Sequence, residues 1–384
     1  MATTAPVIRS GTPGSFAWGV FHERHPELVR RVLAALPYGP VERAGVEQLL
    51  VESTVGVLEP LAVGAHDAAQ WGAWGEGLWG RPWGEAPFLW AESYFYRRLL
   101  EATGYFGAGV WRGVDPFGPF KAAELRGAGV EEELAALKTV GGLSAAALLG
   151  SALWGNRADL SFRITAEAGG GRSEVLVDES AVLWAELERR RGGLVCLVAD
   201  NAGQELLPDL VLMDELLAQG LAGRVVLYVK PQPYFVSDAT MDDVLATVER
   251  LRSAEVEAAR EVGRRLWQAM ERGVLEVRTH PFFCAPLPYR EMPADLRAEF
   301  AGAAMTVLKG DLNYRRLVGD QWWPPTTPFG ETVDHFPSSV AALRTLKSDV
   351  VVGLDERSVA RLDGSGEPWR TSGRHAVVQV NLRA

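Results

Sequence analysis

Two adjacent polar residues at the end of an apolar run are the first candidates for chemistry. The run LVCLVA leads directly into Asp200 and Asn201, which begin the motif DNAGQE. Carboxylate and amide oxygens are hard ligands that suit magnesium or manganese better than zinc. A helix predicted to begin near Glu205 would add unpaired backbone N–H groups, which favour an anion such as phosphate. Gly203 would let the backbone approach such a ligand closely.

A third acidic residue, Asp238, follows the next apolar run in the segment VVLYVKPQPYFVSDAT. The prolines of this segment prevent it from continuing a β-ladder. Taken alone, Asp238 is typical of an N-cap or first-turn acid for a helix that begins at Met241. Paired with Asp200, it becomes a candidate metal ligand. The residues thus predict one divalent cation held by Asp200, Asn201 and Asp238.

A cluster of charged and hydrogen-bonding groups occupies the segment MTVLKGDLNYRR. A predicted strand ends there in Lys309, Gly310 and Asp311, and Asn313, Tyr314 and Arg315 follow closely. Packing so many polar groups at a strand end costs stability, but it suits a polyhydroxylated, phosphorylated ligand. The alternative interpretation is a solvated turn.

Two further segments carry residues whose role stays open. Lys347 precedes the apolar run VVVGL, where a cation could neutralise charge on a transferring phosphoryl group. A lone lysine before a strand is, however, usually a surface residue. Asn156 and Asp159 in LWGNRADLS either cap the element that follows or face the metal site from the helical region.

The motifs of several other enzyme classes are absent from the sequence. It contains no GxGxxG after a first strand, no GxxxxGK[ST], no GxSxG and no HExxH. The six histidines show no ligand spacing, and we interpret Cys196 and Cys284 as core residues because both lie in apolar runs. Dinucleotide oxidoreductases, P-loop kinases, serine hydrolases and zinc proteases are therefore disfavoured.

Alternating strands and helices in the second half of the chain must position these residues. Over 1–165 apolar residues recur at helical spacing, which predicts an N-terminal helical domain. Over 166–384 short apolar runs alternate with amphipathic stretches, which predicts an α/β domain with a largely parallel sheet and one long helix from Met241 to Met270. Ligands bind beyond the carboxyl ends of the strands in such a sheet. The predicted strands are Leu194–Ala199, Val225–Val229, Val274–Val277, Met305–Leu308, Val350–Leu354 and Val377–Val380.

An aromatic-rich stretch at 71–120 holds many of the 13 tryptophans and one predicted helix, from about Leu89 to Thr103. Core and interdomain packing is the favoured interpretation of these rings, because aromatic side chains bury large areas. A lid over a ligand pocket is the alternative.

Composition limits the class of protein and its partners. The 384 residues are 47% hydrophobic and 23% charged, which predicts a large ordered core. A formal net charge of -10 without a Lys/Arg-rich run argues against a nucleic-acid partner. No apolar stretch approaches the roughly 20 residues that cross a bilayer, and the first 15 residues do not resemble a signal peptide. We therefore expect a cytoplasmic protein without a membrane partner.

Four motifs together resemble a known family. DNAGQE, FVSDAT, KGDLNYR and RTLKSD, in this order, are similar to those of the damage-control phosphatases, in the sugar-phosphate group with the acidic-residue methyltransferase-like metal-binding domain. PFLWAESYFYRRLLEATGYF, the DPF that follows it, and LWGNRADLS extend the likeness, which covers about residues 15 to 360.

The resemblance implies a fold, an activity and a set of site residues. It implies an α/β/α sandwich preceded by a helical domain, and hydrolysis of phosphate monoesters with manganese, cobalt, nickel or magnesium. The implied substrates are small phosphorylated metabolites, with fructose 1-phosphate and related sugar phosphates favoured. Asp200, Asn201 and Asp238 would coordinate the metal. The implied contacts to substrate are Glu205, Asp311, Leu312, Asn313, Tyr314, Arg315 and Lys347, besides the metal ligands.

A mechanism follows as a hypothesis. The metal would polarise the phosphoryl group, while Arg315 and Lys347 hold its remaining oxygens. Either a metal-bound water or a carboxylate would attack in line, and Asp200 is the best candidate for a covalent route. Asp311 completes the set of candidate catalytic residues.

Two other functions are weighed against hydrolysis. Carboxyl methyl transfer from S-adenosylmethionine would need a cofactor pocket, usually framed by a glycine-rich loop after the first strand, and the sequence has none. A protein that binds sugar phosphates without turnover is the other alternative. Acidic, amide and cationic residues in every motif favour catalysis over binding alone.

Overall fold

Seven strands form one mixed sheet in the computed structural model, which describes residues 5–137, 145–155 and 174–383. The strand order across the sheet is β1-β7-β6-β5-β2-β3-β4. The strands are β1 Glu174–Asp178, β2 Gly193–Val198, β3 Ala222–Val229, β4 Leu275–Thr279, β5 Met305–Lys309, β6 Val340–Thr345 and β7 His375–Asn381.

Five neighbouring strands, β6-β5-β2-β3-β4, all run parallel. β7 pairs antiparallel with β6 and parallel with β1. The chain passes from β2 to β3 on one side, whereas β5 lies on the other side of β2. The order therefore reverses at β2, and the carboxyl ends of β2 and β5 flank the switch point where open sheets bind ligands.

Helices surround this sheet along the described parts of the chain. A π-helical segment at Val20–Arg24 joins the first two helices. The helices are α1 Phe16–Gly19, α2 His25–Ala35, α3 Pro40–Val55, α4 Ala68–Trp74, α5 Phe88–Ala102, α6 Gly118–Leu125, α7 Ala128–Ala136, α8 Ala145–Trp154, α9 Ser180–Arg189, α10 Leu206–Ala218, α11 Met241–Arg252, α12 Glu257–Glu271, α13 Ala294–Ala301, α14 Gly310–Val318, α15 Phe329–Val333 and α16 Glu356–Asp363.

The sheet separates two apolar cores. Successive side chains of a strand point to opposite faces, so Val195 and Leu197 of β2 enter one core and Cys196 and Val198 enter the other. The core that holds Cys196 also contains most of the aromatic residues of α2 to α5. The opposite core is built by α7 to α12. Layers on both faces of a largely parallel sheet confirm the predicted α/β class.

The observed strands agree with five of the six predicted ones, and the prediction at Val350–Leu354 is wrong. Val350, Val351 and Val352 are buried, but the carbonyls of Val350 and Val352 accept from side chains: Arg344 donates to Val350 O and Gln379 to Val352 O. The strand in this region is β6, whose small and polar residues gave no clear β signal. β1 was also missed. The long helix predicted over 241–270 is two helices, α11 and α12.

The aromatic-rich stretch packs into the core of the molecule. Trp71, Trp83 and Trp90 are each less than 5% exposed and contact Tyr94 of α5. The predicted helix is confirmed as α5. The domain boundary predicted at residue 165 lies outside the described residues and stays a prediction. None of the described helices is long and apolar enough to cross a membrane.

The aromatic core predicts the effect of one truncation. Phe95 is fully buried and stacks on His25, with ring centroids 3.7 Å apart. Phe95→Ala leaves a cavity, so we expect the free energy of unfolding to fall by about 3–5 kcal/mol in urea denaturation. Val63 is fully exposed, and Val63→Ala should change it by less than about 0.5 kcal/mol. Equal stability of the two variants would contradict this assignment of the core.

Candidate active site

A small cavity of about 70 Å³ opens at the carboxyl edge of the sheet. Seven of the ten predicted site residues line it, and Phe16, Arg24, Glu92 and Phe235 complete the lining. The seven are Asp200, Asn201, Asp238, Asp311, Leu312, Arg315 and Lys347. The segments after β2, β3, β5 and β6 thus meet at one place.

The contact between Asp200 and Gly310 brings β2 and β5 together at this edge. Gly310 has a φ of +82°, in the left-handed region that favours glycine. A Cβ atom at this position would lie 1.7 Å from Asp200 Oδ2. The backbone therefore approaches the carboxylate more closely than any side chain allows.

A backbone bridge holds Asp238 beside Asn201. Asn201 and Asp238 form an isolated antiparallel bridge. Ala202 N donates to Ser237 O at 2.7 Å, and Ala239 N donates to Asp200 O at 2.8 Å.

The loop before this bridge carries backbone strain. Phe235 and Val236 have φ values of 41° and 49°, which side-chain-bearing residues rarely adopt. Phe235 stacks on Tyr96 of α5, with ring centroids 4.7 Å apart. Strain of this kind persists where surrounding contacts hold it, and such places are often functional sites.

The three predicted metal ligands supply oxygens that suit a hard cation. The side chain of Asn201 is oriented by three contacts: its Nδ2 donates to Glu205 at 2.8 Å and to Asp200 at 3.3 Å, and its Oδ1 accepts from Ser237 Oγ at 2.7 Å. Among the described residues, no three His, Cys, Asp or Glu side chains are grouped to hold a metal. A site here therefore needs the amide oxygen of Asn201 with the carboxylates of Asp200 and Asp238. That donor set fits magnesium or manganese.

Two buried lysines lie behind these ligands. Lys230 Nζ is 3.2 Å from Asp238 Oδ2, and both side chains are 2% exposed. Lys309 is fully buried and lies 2.5 Å from Asp209 and 3.8 Å from Glu205. Burial lowers the pKa of Lys309, but the two carboxylates outweigh it and raise that pKa above its usual value. Lys309 therefore stays charged and neutralises the acids around Asn201.

The cluster predicted at the end of β5 lies on a buried helix, so the solvated-turn alternative is wrong. On α14, Asp311 and Arg315 line the cavity one turn apart. Asn313 donates to Ala199 O at 3.1 Å and to Lys309 O at 2.8 Å, while Tyr314 Oη donates to Gln379 at 2.8 Å. The side chains of Asn313 and Tyr314 thus hold α14 against the sheet.

Arg315 is bound by two carboxylates. Asp320 accepts from Nε at 2.8 Å and from Nη2 at 3.1 Å, and Glu92 of α5 accepts from Nη1 at 2.9 Å. Burial lowers the pKa of Arg315, but Asp320 and Glu92 outweigh burial and raise it. Asp320 also accepts from Leu89 N, at the start of α5, at 3.0 Å. This network fixes the helical side of the cavity to the sheet side.

Asp311 is held in a similar way from the end of β6. Arg344 Nε donates to it at 2.8 Å, and Ser348 Oγ donates at 3.1 Å. Burial raises the pKa of Asp311, but Arg344 and Arg315 outweigh burial and hold the pKa below its usual value. The backbone N–H of Lys347 also donates to Asp311, at 3.3 Å. Lys347 therefore follows a strand, β6, rather than preceding one, and it is 5% exposed rather than on the surface.

The side chains that line the cavity carry an excess of negative charge, which favours binding of a cation. Four carboxylates and three basic side chains line the cavity. Among the charged groups that contact the lining side chains, Lys230 and Arg344 balance Glu205 and Asp320. A phosphate monoester carries nearly two negative charges and would be repelled by this lining unless a cation bound with it.

Sequence reasoning missed four of the residues that line the cavity. Glu92 was the easiest to find, because it is the one acid in the apolar start of α5, FLWAESYF. Arg24 ends the π-helical segment, a feature common at functional sites that sequence does not reveal. For Phe16 and Phe235, nothing in the sequence beyond the residue type indicated a place in the cavity. Asn156 and Asp159 lie outside the described residues.

Known proteins resemble the chain over most of its length. A family profile described as the damage-control phosphatase ARMT1-like domain matches residues 20–362. Damage-control phosphatase ARMT1 of Mus musculus is 30% identical, covering 99% of each chain. That of Xenopus laevis is 32% identical over 78% of this chain and 76% of its own. A solved DUF89 family protein of Pyrococcus horikoshii is 15% identical, with a TM-score of 0.50 over 89% of this chain and 94% of its own, and supports the fold alone.

The contact at Gly310 predicts one loss of metal binding. Gly310→Ala forces the methyl group against Asp200. We therefore expect the affinity for a divalent cation to fall by about 10- to 100-fold in calorimetry with manganese. Gly64 has no atom within 4 Å of an added Cβ, and Gly64→Ala should bind the cation like the wild type. Unchanged affinity in Gly310→Ala would contradict the placement of the site.

The buried lysine predicts a coupled loss of stability. Lys309→Met leaves Asp209 buried beside Glu205 without its cation, so the free energy of unfolding should fall by about 3–5 kcal/mol in urea denaturation. Adding Asp209→Leu removes the unpaired carboxyl group. The loss in the free energy of unfolding of the double variant should therefore be smaller than the sum of the losses of the two single variants. Arg264→Met, in the exposed pair with Glu261, is the control and should barely move the midpoint. Additive losses at 309 and 209 would exclude the coupling.

Proposed function

Because the chain belongs to the damage-control phosphatase ARMT1-like domain family, we propose that it is a metal-dependent phosphatase acting on small phosphorylated metabolites. The observation that carries this proposal is the convergence of Asp200, Asn201 and Asp238 in one cavity with basic side chains. Carboxylate and amide oxygens suit the metal, and Lys347 and Arg24 suit the phosphoryl group.

The proposed substrates are sugar phosphates, with fructose 1-phosphate as the first to test. A cavity of about 70 Å³ is far smaller than the roughly 300–1,000 Å³ that enclose a drug-sized ligand. This size favours a small ester over a drug-sized ligand. The polar lining favours a hydroxylated organic group.

The proposed cofactor is a divalent metal, with manganese favoured and cobalt, nickel or magnesium as alternatives. When bound, it would polarise the phosphoryl group and offset its charge. Asp200, Asn201 and Asp238 would hold it. Their support by Lys230, Lys309 and Glu205 keeps the ligands in place before the metal arrives.

The chain's own residues would carry out the rest of the reaction. Lys347 and Arg24 would bind the phosphoryl oxygens, since both line the cavity and are cationic. Arg315 would contribute through its charge, because its three guanidinium nitrogens already donate to Asp320 and Glu92. Asp311 would position Lys347 by accepting a hydrogen bond from its backbone N–H, and its charge would interact with that of Arg315. The attacking group is a water or the carboxylate of Asp200. In the covalent route the carboxylate of Asp200 would displace the ester oxygen from phosphorus, the organic part would leave as an alcohol after taking up a proton, and water would hydrolyse the acyl phosphate to inorganic phosphate and the free carboxylate.

Removing either carboxylate ligand tests the proposal. We expect Asp200→Ala and Asp238→Ala to abolish manganese-stimulated phosphate release from a panel of phosphate esters that includes fructose 1-phosphate. The wild type should lose the same activity when a chelator is added. Asp334 is exposed and lies outside the cavity, so Asp334→Ala is the control and should keep wild-type activity.

Three outcomes would contradict the proposal. Full activity of both Asp200→Ala and Asp238→Ala would exclude the assigned site. Binding of the esters without phosphate release would indicate a sugar-phosphate-binding protein. Transfer of a labelled methyl group from S-adenosylmethionine to a carboxylate, without phosphate release, would indicate a methyltransferase.

A further inference from the structure

Glu92 is a buried acid whose position packing does not explain. It lies in α5 among apolar and aromatic neighbours, and its side chain is only 10% exposed. The remaining exposed surface faces the cavity, because Glu92 is one of the lining residues. Burying a carboxylate costs free energy, so it is rare without a specific partner or role.

The partner of Glu92 is already neutralised by another acid. Asp320 accepts two hydrogen bonds from Arg315, through Nε and Nη2, and it also binds the backbone at the start of α5. Glu92 accepts one hydrogen bond, from Nη1. One guanidinium thus faces two carboxylates. Asp320 is sufficient to balance Arg315, so Arg315 alone does not explain Glu92, whose charge Arg24 offsets in part.

The charges around Glu92 define what it can recognise. Burial raises its pKa, and Asp320 adds to this effect, whereas Arg315 and Arg24 oppose it. A phosphoryl group beside Glu92 would be repelled as a like charge. A hydroxyl group would instead donate a hydrogen bond to the carboxylate. The wall at Glu92 therefore suits the neutral, hydroxylated part of an ester, while Lys347 and the metal ligands suit its phosphoryl end.

We propose that Glu92 is a specificity-determining residue that accepts a hydrogen bond from a hydroxyl group of the substrate's organic part. It makes the enzyme prefer hydroxylated phosphate esters over esters of similar size without hydroxyl groups. This inference rests on the proposed function, because it concerns the same cavity. It also accounts for the presence of a carboxylate in the apolar start of α5.

The test compares two esters on matched variants. Fructose 1-phosphate offers hydroxyl groups and phenyl phosphate offers none. We expect the ratio of their kcat/KM values to fall about 10- to 100-fold in Glu92→Gln, which loses the charge of the acceptor, and at least as far in Glu92→Ala. Asp320→Asn is the matched control, because it weakens the other carboxylate contact to Arg315 but lies outside the cavity lining. Its ratio should stay within about twofold of the wild type.

The possible results separate the two proposals. Equal losses for both esters in Glu92→Gln would overturn the inference, since Glu92 would then act only through Arg315. A ratio that falls equally in Asp320→Asn would overturn it too. If the wild type hydrolyses neither ester, the proposed function fails, and calorimetric binding of the two esters decides the role of Glu92. An equal binding ratio in wild type and Glu92→Gln would then exclude it. Circular dichroism spectra and urea midpoints establish that each variant is folded.

Discussion

The close approach of Asp200 to the backbone of Gly310 is the constraint on which the site depends. It requires β2 and β5 to be neighbours and to end at the same edge, and the reversal of strand order at β2 provides this arrangement. The bridge from Asn201 to Asp238 then draws the loop after β3 to the same point. α14 begins at Gly310, so the same contact also sets where Asp311 and Arg315 emerge. Three segments far apart in sequence are thereby placed around one cavity.

Each acid that lines the cavity has a basic group or a hydrogen-bond donor beside it, and for Asp200 this is Asn201 Nδ2 at 3.3 Å. Asp238 has Lys230, Asp311 has Arg344 and Glu92 has Arg315. These partners are buried, so their interactions are only weakly screened by water and salt. Charges fixed in this way need little rearrangement when a ligand arrives, which is the property that electrostatic catalysis requires. The two cores on either face of the sheet provide the rigid packing that holds these partners.

The parts of the fold and site that follow from local sequence could be predicted, and the parts that follow from long-range contacts could not. The position of Asp200 and Asn201 just after a strand was predicted correctly because a buried strand and a helix start surround them directly in the sequence. β6 was missed because its small and polar residues are stabilised by neighbours, among them Asp311 against Arg344. Glu92 is also far in sequence from Arg315, and Arg24 is far from the strand ends. Only the folded chain therefore reveals that Glu92 and Arg24 line the cavity. The strand predicted at Val350–Leu354 is wrong because burial of an apolar run does not by itself make a strand.

The two walls of the cavity come from different parts of the chain. The edge with Asp200, Asp238 and Lys347 lies after strands of the sheet, whereas Phe16, Arg24 and Glu92 belong to the helices that precede it. Mutations in the aromatic packing around α5 can reach the sheet side through the contacts that join the two walls, Glu92 with Arg315 and Phe235 with Tyr96. Under the proposed function, a change in the helical segment is therefore expected to alter ester preference and, through these contacts, the positions of the residues at the strand ends.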